Sequence, residues 1–236
     1  MLWHNACHGI IRNLVVIDKV IVFDAYGTLF DVGSVNMSLA RLFPDKSIAI
    51  SQLWRFKQLE YTWLRALMDN YCNFESVTCQ ALDYVLAHFG LDLEEAERQE
   101  LSTAYLRLTP HPEVRECLEA LSLWQRSILS NGTSQMLWSL VESASLTSQF
   151  DSIMSADAVK TFKPHPRVYR LVTEYFSVEA SEVTYVTSNS WDAAGAKSFG
   201  FFTCWVNRFG DSDEEIGISP DLKVSNLREL VSALGS

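Results

Sequence analysis

The chain has 236 residues, of which 48% are hydrophobic and 20% are charged, as is typical of a folded protein with a sizeable core. Its formal net charge of -10 argues against a nucleic-acid partner, because phosphate binding requires clustered Lys and Arg. No apolar run reaches the roughly 18 residues of a membrane span. Five cysteines, an odd number without paired spacing, indicate reduced thiols and a cytoplasmic location.

The first residues of the chain contain His4, Cys7 and His8, whose spacing is faintly similar to that of a metal site. Three ligands without a fourth partner make no structural metal site. Because chain termini are usually poorly ordered, we expect a mobile terminus here and no metal centre.

Buried strands alternate with amphipathic helices over most of the chain, which predicts a parallel sheet in an α/β fold. The predicted strands are, in chain order, residues 21–24, 126–132, 150–156, 182–189 and 202–206. A helix that begins near Trp191 is predicted to end at Gly200, since glycine favours helix C-termini.

The rhythm breaks between residues 31 and 109, where only helical patterns occur. One helical period runs through Leu53, Phe56, Leu59, Trp63 and Leu67. A helical block inserted after the first strand predicts a separate cap. The predicted fold is therefore a Rossmann-like parallel sheet core (residues 1–32 and 109–236) with an inserted helical cap domain (residues 33–108).

Polar residues follow the predicted strands, and in open α/β sheets sites form beyond the carboxyl ends of the strands. These residues are Asp24, Tyr26 and Thr28 after the first strand, Ser130, Asn131 and Thr133 after the second, Lys163 after the third, and Thr187, Ser188, Asn189, Trp191 and Asp192 after the fourth. Their convergence at one edge of the sheet predicts a functional site.

Each of these residues also has a purely structural interpretation. Asp24 would be a helix cap only if a helix followed, but "AYGT" is a glycine-containing turn, which favours a functional carboxylate. The segment 130–133 is equally well explained by helix capping and by anion binding. Lys163 is either a solvated lysine or the partner that keeps Asp24 ionised. Asp192 suits the first turn of a helix, and Trp191 suits a core.

Four motifs stand in a fixed order: "FDAYGTLFDV", "LSNGTSQ", "KPHPRVY" and "SNSWDAAGAKSFGFFTCWVNR". On these motifs the chain resembles the haloacid dehalogenase superfamily and, within it, the L-2-haloacid dehalogenases. The resemblance extends from about Val20 to the C-terminus, and the cap segment "LWRFKQLEYTWLRALM" is similar too. Motifs of this length and order are specific, unlike a single short pattern.

The carboxylates expected of a magnesium-dependent phosphatase are missing from these motifs. Tyr26 stands where the superfamily's phosphatases typically have a second aspartate, and "TSNSWD" contains a single acid, Asp192. Since bound Mg²⁺ prefers carboxylate ligands, we expect neither a metal nor another cofactor.

The resemblance implies a covalent mechanism. Asp24 would displace the halide ion from a short L-2-haloalkanoic acid with inversion, and water would hydrolyse the resulting ester to a D-2-hydroxy acid. Asp192, with Asn189 nearby, is the candidate to activate that water. Lys163 would hold Asp24 as a carboxylate, and Thr28 would orient it.

The resemblance also assigns the substrate contacts. Ser130 and Asn131 would bind the substrate carboxylate, and Tyr169 would support Lys163 and Asp192. Arg55 on the cap would receive the halide, although a surface salt bridge remains the alternative for such an arginine. An apolar wall would strip water from the site; its residues are Tyr26, Leu59, Phe74 and Trp191.

Two positions depart from the family pattern: Thr187 stands where serine is common, and Phe56 where glutamine can occur. A homodimer through the aromatic cap helix is implied, although packing within the cap would equally explain its apolar stripe. Two rival functions are a Mg²⁺-dependent phosphatase and a non-catalytic binding protein. The second would predict loss of some of the set Asp24, Arg55, Lys163 and Asp192, all of which are present.

Overall fold

The structure, a computed structural model, describes residues 19–235. Its strands are β1 (Val20–Phe23), β2 (Phe30–Asp31), β3 (Thr109–Pro110), β4 (Gln125–Ser130), β5 (Ser152–Ser155), β6 (Val183–Thr187), β7 (Phe202–Val206) and β8 (Leu222–Val224). Within the described residues, six strands form one parallel sheet in the order β5-β4-β1-β6-β7-β8. From β1 the chain first adds β4 and β5 on one side of the strand and then β6, β7 and β8 on the other. The C-terminal end of β1 therefore lies where the strand order reverses, which is the place where ligands bind in such folds.

The helices fall into two groups on either side of β3. They are α1 (Asn36–Leu42), α2 (Ser47–Leu67), α3 (Phe74–Phe89) and α4 (Glu95–Ala104), followed by α5 (Val114–Ala120), α6 (Ser134–Ser143), α7 (Pro166–Phe176), α8 (Ser190–Phe199) and α9 (Leu227–Leu234). The first four lie between β2 and β3, which pair antiparallel at the two crossings between sheet and helices. This arrangement confirms the predicted fold, an α/β parallel sheet with a helical cap.

Strand β1 is buried on both faces, which explains its uninterrupted apolar sequence. Ile21 and Phe23 contribute to one hydrophobic core, and Val20 and Val22 to the core on the opposite face. Because side chains alternate along a strand, the next residue, Asp24, continues the row of Val20 and Val22.

The predicted strands are present, with shorter bounds for most of them. Residues 202–206 match β7, whereas the polar residues at the ends of the other predicted segments belong to loops. Strands β2, β3 and β8 were not predicted, because runs of two or three residues carry no periodicity. Helix α8 ends at Gly200, whose φ of 116° suits glycine, as predicted.

The packing of helix α2 bears on the two explanations left open for its apolar stripe. Within the apolar stripe of α2, Phe56 and Leu67 are 56% and 83% exposed, so packing inside the cap does not account for these two residues. The buried face instead contains Trp54 and Gln58, whose Nε1 and Nε2 donate hydrogen bonds to Thr78 O (2.9 Å) and Thr78 Oγ1 (2.7 Å). Polar groups can be buried when they are hydrogen-bonded, and apolar periodicity alone therefore does not identify the buried face of this helix.

Other predictions concern membranes, thiols and metals. No helix among residues 19–235 is long and apolar enough to cross a membrane. The four cysteines of this part of the chain are free thiols, as predicted. The residues His4, Cys7 and His8 lie outside the described residues; within residues 19–235 no group of three His, Cys, Asp or Glu side chains could hold a metal ion.

Candidate active site

Asp24 lies directly after β1, and its backbone N–H donates to Val186 O (2.9 Å). In the turn that follows, Gly27 has a φ of 87°, a conformation that glycine adopts without strain. This turn returns Thr28 to Asp24, where Thr28 Oγ1 donates to Asp24 Oδ2 (3.0 Å). Since Thr28 Oγ1 itself accepts from Ser188 N (2.8 Å), its proton is directed to the carboxylate. The side chain of Asp24 is thereby held in one orientation.

Lys163 connects two buried carboxylates. Its ammonium donates to Asp24 Oδ1 (2.9 Å), to Asp192 Oδ2 (3.0 Å) and to the hydroxyl of Tyr185 (2.5 Å). The side chain is only 1% exposed, so the solvated alternative does not describe this lysine. An ammonium has three N–H donors, and all three are used here.

Asp192 is fully buried, and both of its oxygens accept hydrogen bonds. Oδ1 accepts from Tyr169 OH (2.7 Å), and Oδ2 accepts from Tyr185 OH (2.9 Å) and from Lys163. Burial raises the pKa of Asp192, the positive charge of Lys163 opposes this, and the negative charge of Asp24 adds to it. In this geometry the carboxylate holds Lys163, and its complete burial keeps it from solvent, including the water that it was expected to activate.

Asn189 links Asp24 to the cap. Its Nδ2 donates to Asp24 Oδ2 (2.9 Å) and to Tyr26 O (3.1 Å), and its backbone N–H donates to Thr187 Oγ1 (3.1 Å). Its Oδ1 accepts a long hydrogen bond from Arg55 on α2 (3.4 Å). Because it contacts Asn189, the half-buried side chain of Arg55 extends from the cap towards the core, as the halide-binding prediction requires.

Arg55 lines a cavity of about 610 Å³ between the cap and the loop after β1. Leu59 and Tyr105 contribute apolar surface beside Arg55, and Gly27 closes the core side. The predicted wall residue Leu59 is thus placed beside the predicted halide ligand.

Two further wall residues pack together beneath the cap. The rings of Tyr26 and Phe74 are 5.4 Å apart, and both residues are fully buried. Burial raises the pKa of Tyr26, and its hydroxyl has no hydrogen-bond partner among residues 19–235. Trp191 differs: its ring lies 5.5 Å from Trp63, and it lines a separate groove of about 300 Å³ at the boundary of cap and core.

Ser130 and Asn131 lie at the end of β4 and are buried. Capping of α6 falls to Thr133, whose Oγ1 accepts from Met136 N (3.2 Å). Asn131 Oδ1 accepts from the backbone N–H of Lys163 (2.9 Å), which leaves the Asn131 amide group as a donor for a ligand. Ser130 and Asn131, the predicted ligands of the substrate carboxylate, are therefore not the residues that cap α6.

Two parts of this arrangement were missed in the sequence. Tyr185 belongs to it through Lys163 and Asp192; a tyrosine within a fully buried strand needs a partner for its hydroxyl, and that signal was available. Arg208 donates to Thr28 O (2.9 Å) and to Glu113 Oε1 (2.5 Å). Burial disfavours the charge of Glu113, but the Arg208 guanidinium outweighs it and lowers the pKa of Glu113.

The donor set does not fit a divalent metal ion. Asp24 and Asp192 are the only carboxylates that contact Lys163 in the described part of the chain, and its ammonium already lies between them. Mg²⁺ prefers near-octahedral oxygen coordination, and a lysine in this position would repel it.

An aspartate held by a lysine beyond the end of the central strand, beneath a helical insertion, has the setting of a hydrolase nucleophile that forms a covalent aspartyl intermediate. The sequence bears this out: residues 19–200 match the model of the haloacid dehalogenase-like hydrolases, and the chain belongs to this family.

Characterised relatives cover most of the chain. It is 47% identical over 215 residues to an (S)-2-haloacid dehalogenase of Pseudomonas sp. (strain YL), covering 90% of this chain and 93% of the relative. It is 50% identical over 190 residues to an (S)-2-haloacid dehalogenase of Xanthobacter autotrophicus, covering 80% of this chain and 75% of the relative. The L-2-haloacid dehalogenase of X. autotrophicus with covalently bound chloropropionic acid superposes with a TM-score of 0.89 at 41% identity, covering 93% of this chain and 99% of the other. The resemblance drawn from the motifs is confirmed.

Proposed function

We propose that this protein is an L-2-haloacid dehalogenase, which hydrolyses short L-2-haloalkanoic acids to D-2-hydroxy acids with inversion. The observation that carries the proposal is the sharing of Lys163 between Asp24 and Asp192 with Tyr26 in place of a second acid. A halide leaves without a proton, so this chemistry needs no acid beside Asp24. The relatives named above support the substrate class, and chloropropionic acid is covalently bound in one of them.

Alkylation of Asp24 is the first step. One oxygen of its carboxylate attacks C2 of the substrate, the carbon–halogen bond breaks, and the halide leaves with the bonding electrons. Attack from behind inverts C2 and produces an ester of Asp24. The carboxylate is 5% exposed, and a poorly hydrated carboxylate is a stronger nucleophile. Thr28, Lys163 and Asn189 restrict its orientation, which lowers the entropy lost on reaching the transition state.

Substrate binding uses donors on both domains. The amide of Asn131 and the hydroxyl of Ser130 bind the substrate carboxylate. Arg55 receives the halide, since a cation stabilises the negative charge that develops on the leaving group. The apolar surfaces of Tyr26, Leu59 and Phe74 accommodate a short alkyl group. The cap, residues 33–108, closes over a core formed by residues 1–32 and 109–236 and brings Arg55 to the substrate.

Ester hydrolysis completes the cycle. Water attacks the carbonyl carbon of Asp24, and the bond between that carbon and the ester oxygen attached to C2 breaks. One proton of the water goes to the departing 2-hydroxy acid and the other is released, which regenerates Asp24 as a carboxylate. Asp192 is the remaining carboxylate and accepts this proton, for which a raised pKa is favourable. Asp192 Oδ1 accepts from Tyr169, whereas Oδ2 accepts from both Lys163 and Tyr185, so Oδ1 is the oxygen that takes up this proton while Oδ2 keeps its partners. Thr187 acts indirectly: its Oγ1 accepts a hydrogen bond from the backbone N–H of Asn189 and thereby helps to position Asn189.

The rival functions have less support. A phosphatase would need a second acid and carboxylates for a metal, whereas Tyr26 stands in place of that acid and the segment 187–192 contains the single carboxylate Asp192. A binding protein would not need Asp24, Arg55, Lys163 and Asp192 together.

The test of this function is halide release from the two enantiomers of 2-chloropropionate in the presence of EDTA. We expect chloride and D-lactate from the L enantiomer alone. A protein that hydrolyses p-nitrophenyl phosphate with Mg²⁺ and releases no chloride would contradict the proposal.

Replacement of Arg55 by Ala is expected to lower kcat for chloride release by about 10²-fold, the effect of removing one donor to a developing anion. Arg55→Lys, which retains a charge, should recover part of the loss. Arg65→Ala serves as the control, because Arg65 lies on the same helix but bonds to Asn70 O and Gln80 Oε1. Initial rates of halide release measure the effect, and unchanged kinetics in Arg55→Ala would remove Arg55 from the site.

A homodimer through helix α2 is part of this proposal. The exposed stripe includes Phe56, Leu64 and Leu67, which are 56%, 45% and 83% exposed, and such a stripe is typical of an interaction surface. Leu67→Asp is expected to shift the protein from dimer to monomer in sedimentation velocity, whereas a wild-type protein that sediments as a monomer would refute the dimer.

The free thiols support a cytoplasmic location, which cell fractionation would check.

A further inference from the structure

Tyr185 occupies the centre of the charged cluster beneath Asp24. In the sheet it is the neighbour of Val22 on β1, so its side chain projects from the same face as Val22 and, two residues later, Asp24. Its hydroxyl, Lys163 Nζ and Asp192 Oδ2 form a triangle with sides of 2.5, 2.9 and 3.0 Å. All three atoms are therefore mutually hydrogen-bonded.

The directions of these hydrogen bonds follow from chemistry. A lysine ammonium can only donate, so the Tyr185 oxygen accepts from Lys163. The single hydroxyl proton of Tyr185 is then committed to the Asp192 carboxylate. Burial, followed by the charges of Asp192 and Asp24, raises the pKa of Tyr185, and the phenol stays protonated at all working pH values. Tyr185 is thus a fixed neutral bridge between the cation and the anion.

The importance of this bridge changes during the reaction. In the free enzyme, Lys163 is held by two carboxylates, and both bonds are charge-assisted. Once Asp24 is an ester it is neutral, so Lys163 loses the Coulombic attraction of one of its two carboxylate partners and keeps only a weaker hydrogen bond to the ester. From that moment, only Asp192 and Tyr185 hold Lys163 firmly.

The geometry points to Tyr185 as a positioning residue for the second half of the proposed dehalogenase reaction, which keeps Lys163 and Asp192 in place while the Asp24 ester is hydrolysed. This inference rests on the proposed function. Tyr185 does not contact the reacting atoms; it acts through Lys163 and Asp192. Removal of its hydroxyl should slow hydrolysis more than alkylation.

The variant Tyr185→Phe tests this inference with little disturbance of packing. The ring lies 5.7 Å from Phe201 and 5.8 Å from Tyr169, and phenylalanine preserves both contacts. Tyr71→Phe is the matched control, since it deletes a hydroxyl bonded to a carboxylate that is not part of this cluster, Asp157 Oδ1 (2.6 Å).

Rapid-quench measurements with L-2-chloropropionate should show a burst of chloride equal to the enzyme concentration in Tyr185→Phe. A steady state slowed by about tenfold should follow, as for loss of one hydrogen bond to a charged group. Mass spectrometry should detect the Asp24 ester accumulating in this variant and not in Tyr71→Phe. Wild-type steady-state turnover in Tyr185→Phe, or an equal slowing of burst and steady state, would overturn the inference.

The pH profile provides a second readout. The groups that face Asp192 are Asp24, Lys163, Tyr169 and Tyr185, and loss of one donor to its charged form raises its pKa. The acid limb of kcat should therefore move to higher pH in Tyr185→Phe, and an unmoved limb would count against the inference. Wild-type protein that releases no halide would instead refute the proposed function, which keeps the two failures distinguishable.

Discussion

Replacement of Asp24 by Asn is expected to abolish turnover, with a loss of roughly 10⁴-fold or more, as for loss of a nucleophile in other covalent enzymes. The amide keeps the size of the side chain and an acceptor for Lys163, but it lacks the negative charge that attacks carbon. Steady-state chloride release measures the loss.

A matched control is Asp221→Asn, because Asp221 is also paired with a lysine and with a strand N–H, through Lys197 Nζ (2.6 Å) and Thr203 N (2.8 Å). That variant should keep wild-type activity. Asp24 would not be the nucleophile if Asp24→Asn turned over within tenfold of wild type. Mass spectrometry must show in that case that the introduced amide has not been hydrolysed back to aspartate.

Replacement of Lys163 by Met is expected to affect both activity and folding. Methionine removes the cation that lies between Asp24 and Asp192 and leaves two buried carboxylates facing each other. Breaking a buried ion pair in this way lowers the free energy of unfolding by about 3–5 kcal/mol at neutral pH. Halide release should fall by about 10³-fold, since Asp24 loses both its orientation and its charge partner.

The loss of stability in Lys163→Met should depend on pH. Burial and the negative charge of Asp24 raise the pKa of Asp192, and without the opposing cation this pKa lies still further above the unfolded value. Folding then takes up protons, so the variant gains stability as the pH falls and loses it as the pH rises. The deficit relative to wild type should be larger at about pH 7.5 than at about pH 5.

Urea denaturation at both pH values measures this difference. Lys197→Met is the control, since Lys197 is 37% exposed in its pair with Asp221 and such pairs contribute roughly 0–1 kcal/mol. An equal deficit for Lys163→Met at both pH values would contradict the shared-cation arrangement.

The fold could be predicted from the sequence because its signals are local. Buried strands appear as short apolar runs, and helices appear as apolar residues at helical spacing. A glycine marks the end of a helix, and Gly200 ends α8 where the pattern places it. The edge of the sheet that carries the site followed from topology alone, since the carboxyl ends of parallel strands meet there. The strands β2, β3 and β8 could not be predicted, because two or three residues are too few to show a period.

Individual side-chain partnerships were less accessible. That Lys163 faces Asp24 was one of two alternatives, because 139 residues separate them and only tertiary packing brings them together. Tyr185 was missed since a tyrosine in an apolar strand is read as core until the direction of its hydroxyl is known. On α2, buried hydrogen bonds from Trp54 and Gln58 determine the face that packs, and hydrophobic periodicity cannot detect them.

The central claim, that Asp24 forms an ester which water cleaves at the Asp24 carbonyl carbon, is tested most directly by isotope labelling. L-2-chloropropionate is hydrolysed in ¹⁸O-water with enzyme in excess, so that each site turns over once. The account predicts that ¹⁸O enters the Asp24 carboxylate and that first-turnover lactate is unlabelled, with label reaching lactate only in later turnovers. Label in first-turnover lactate and none in Asp24 would contradict it.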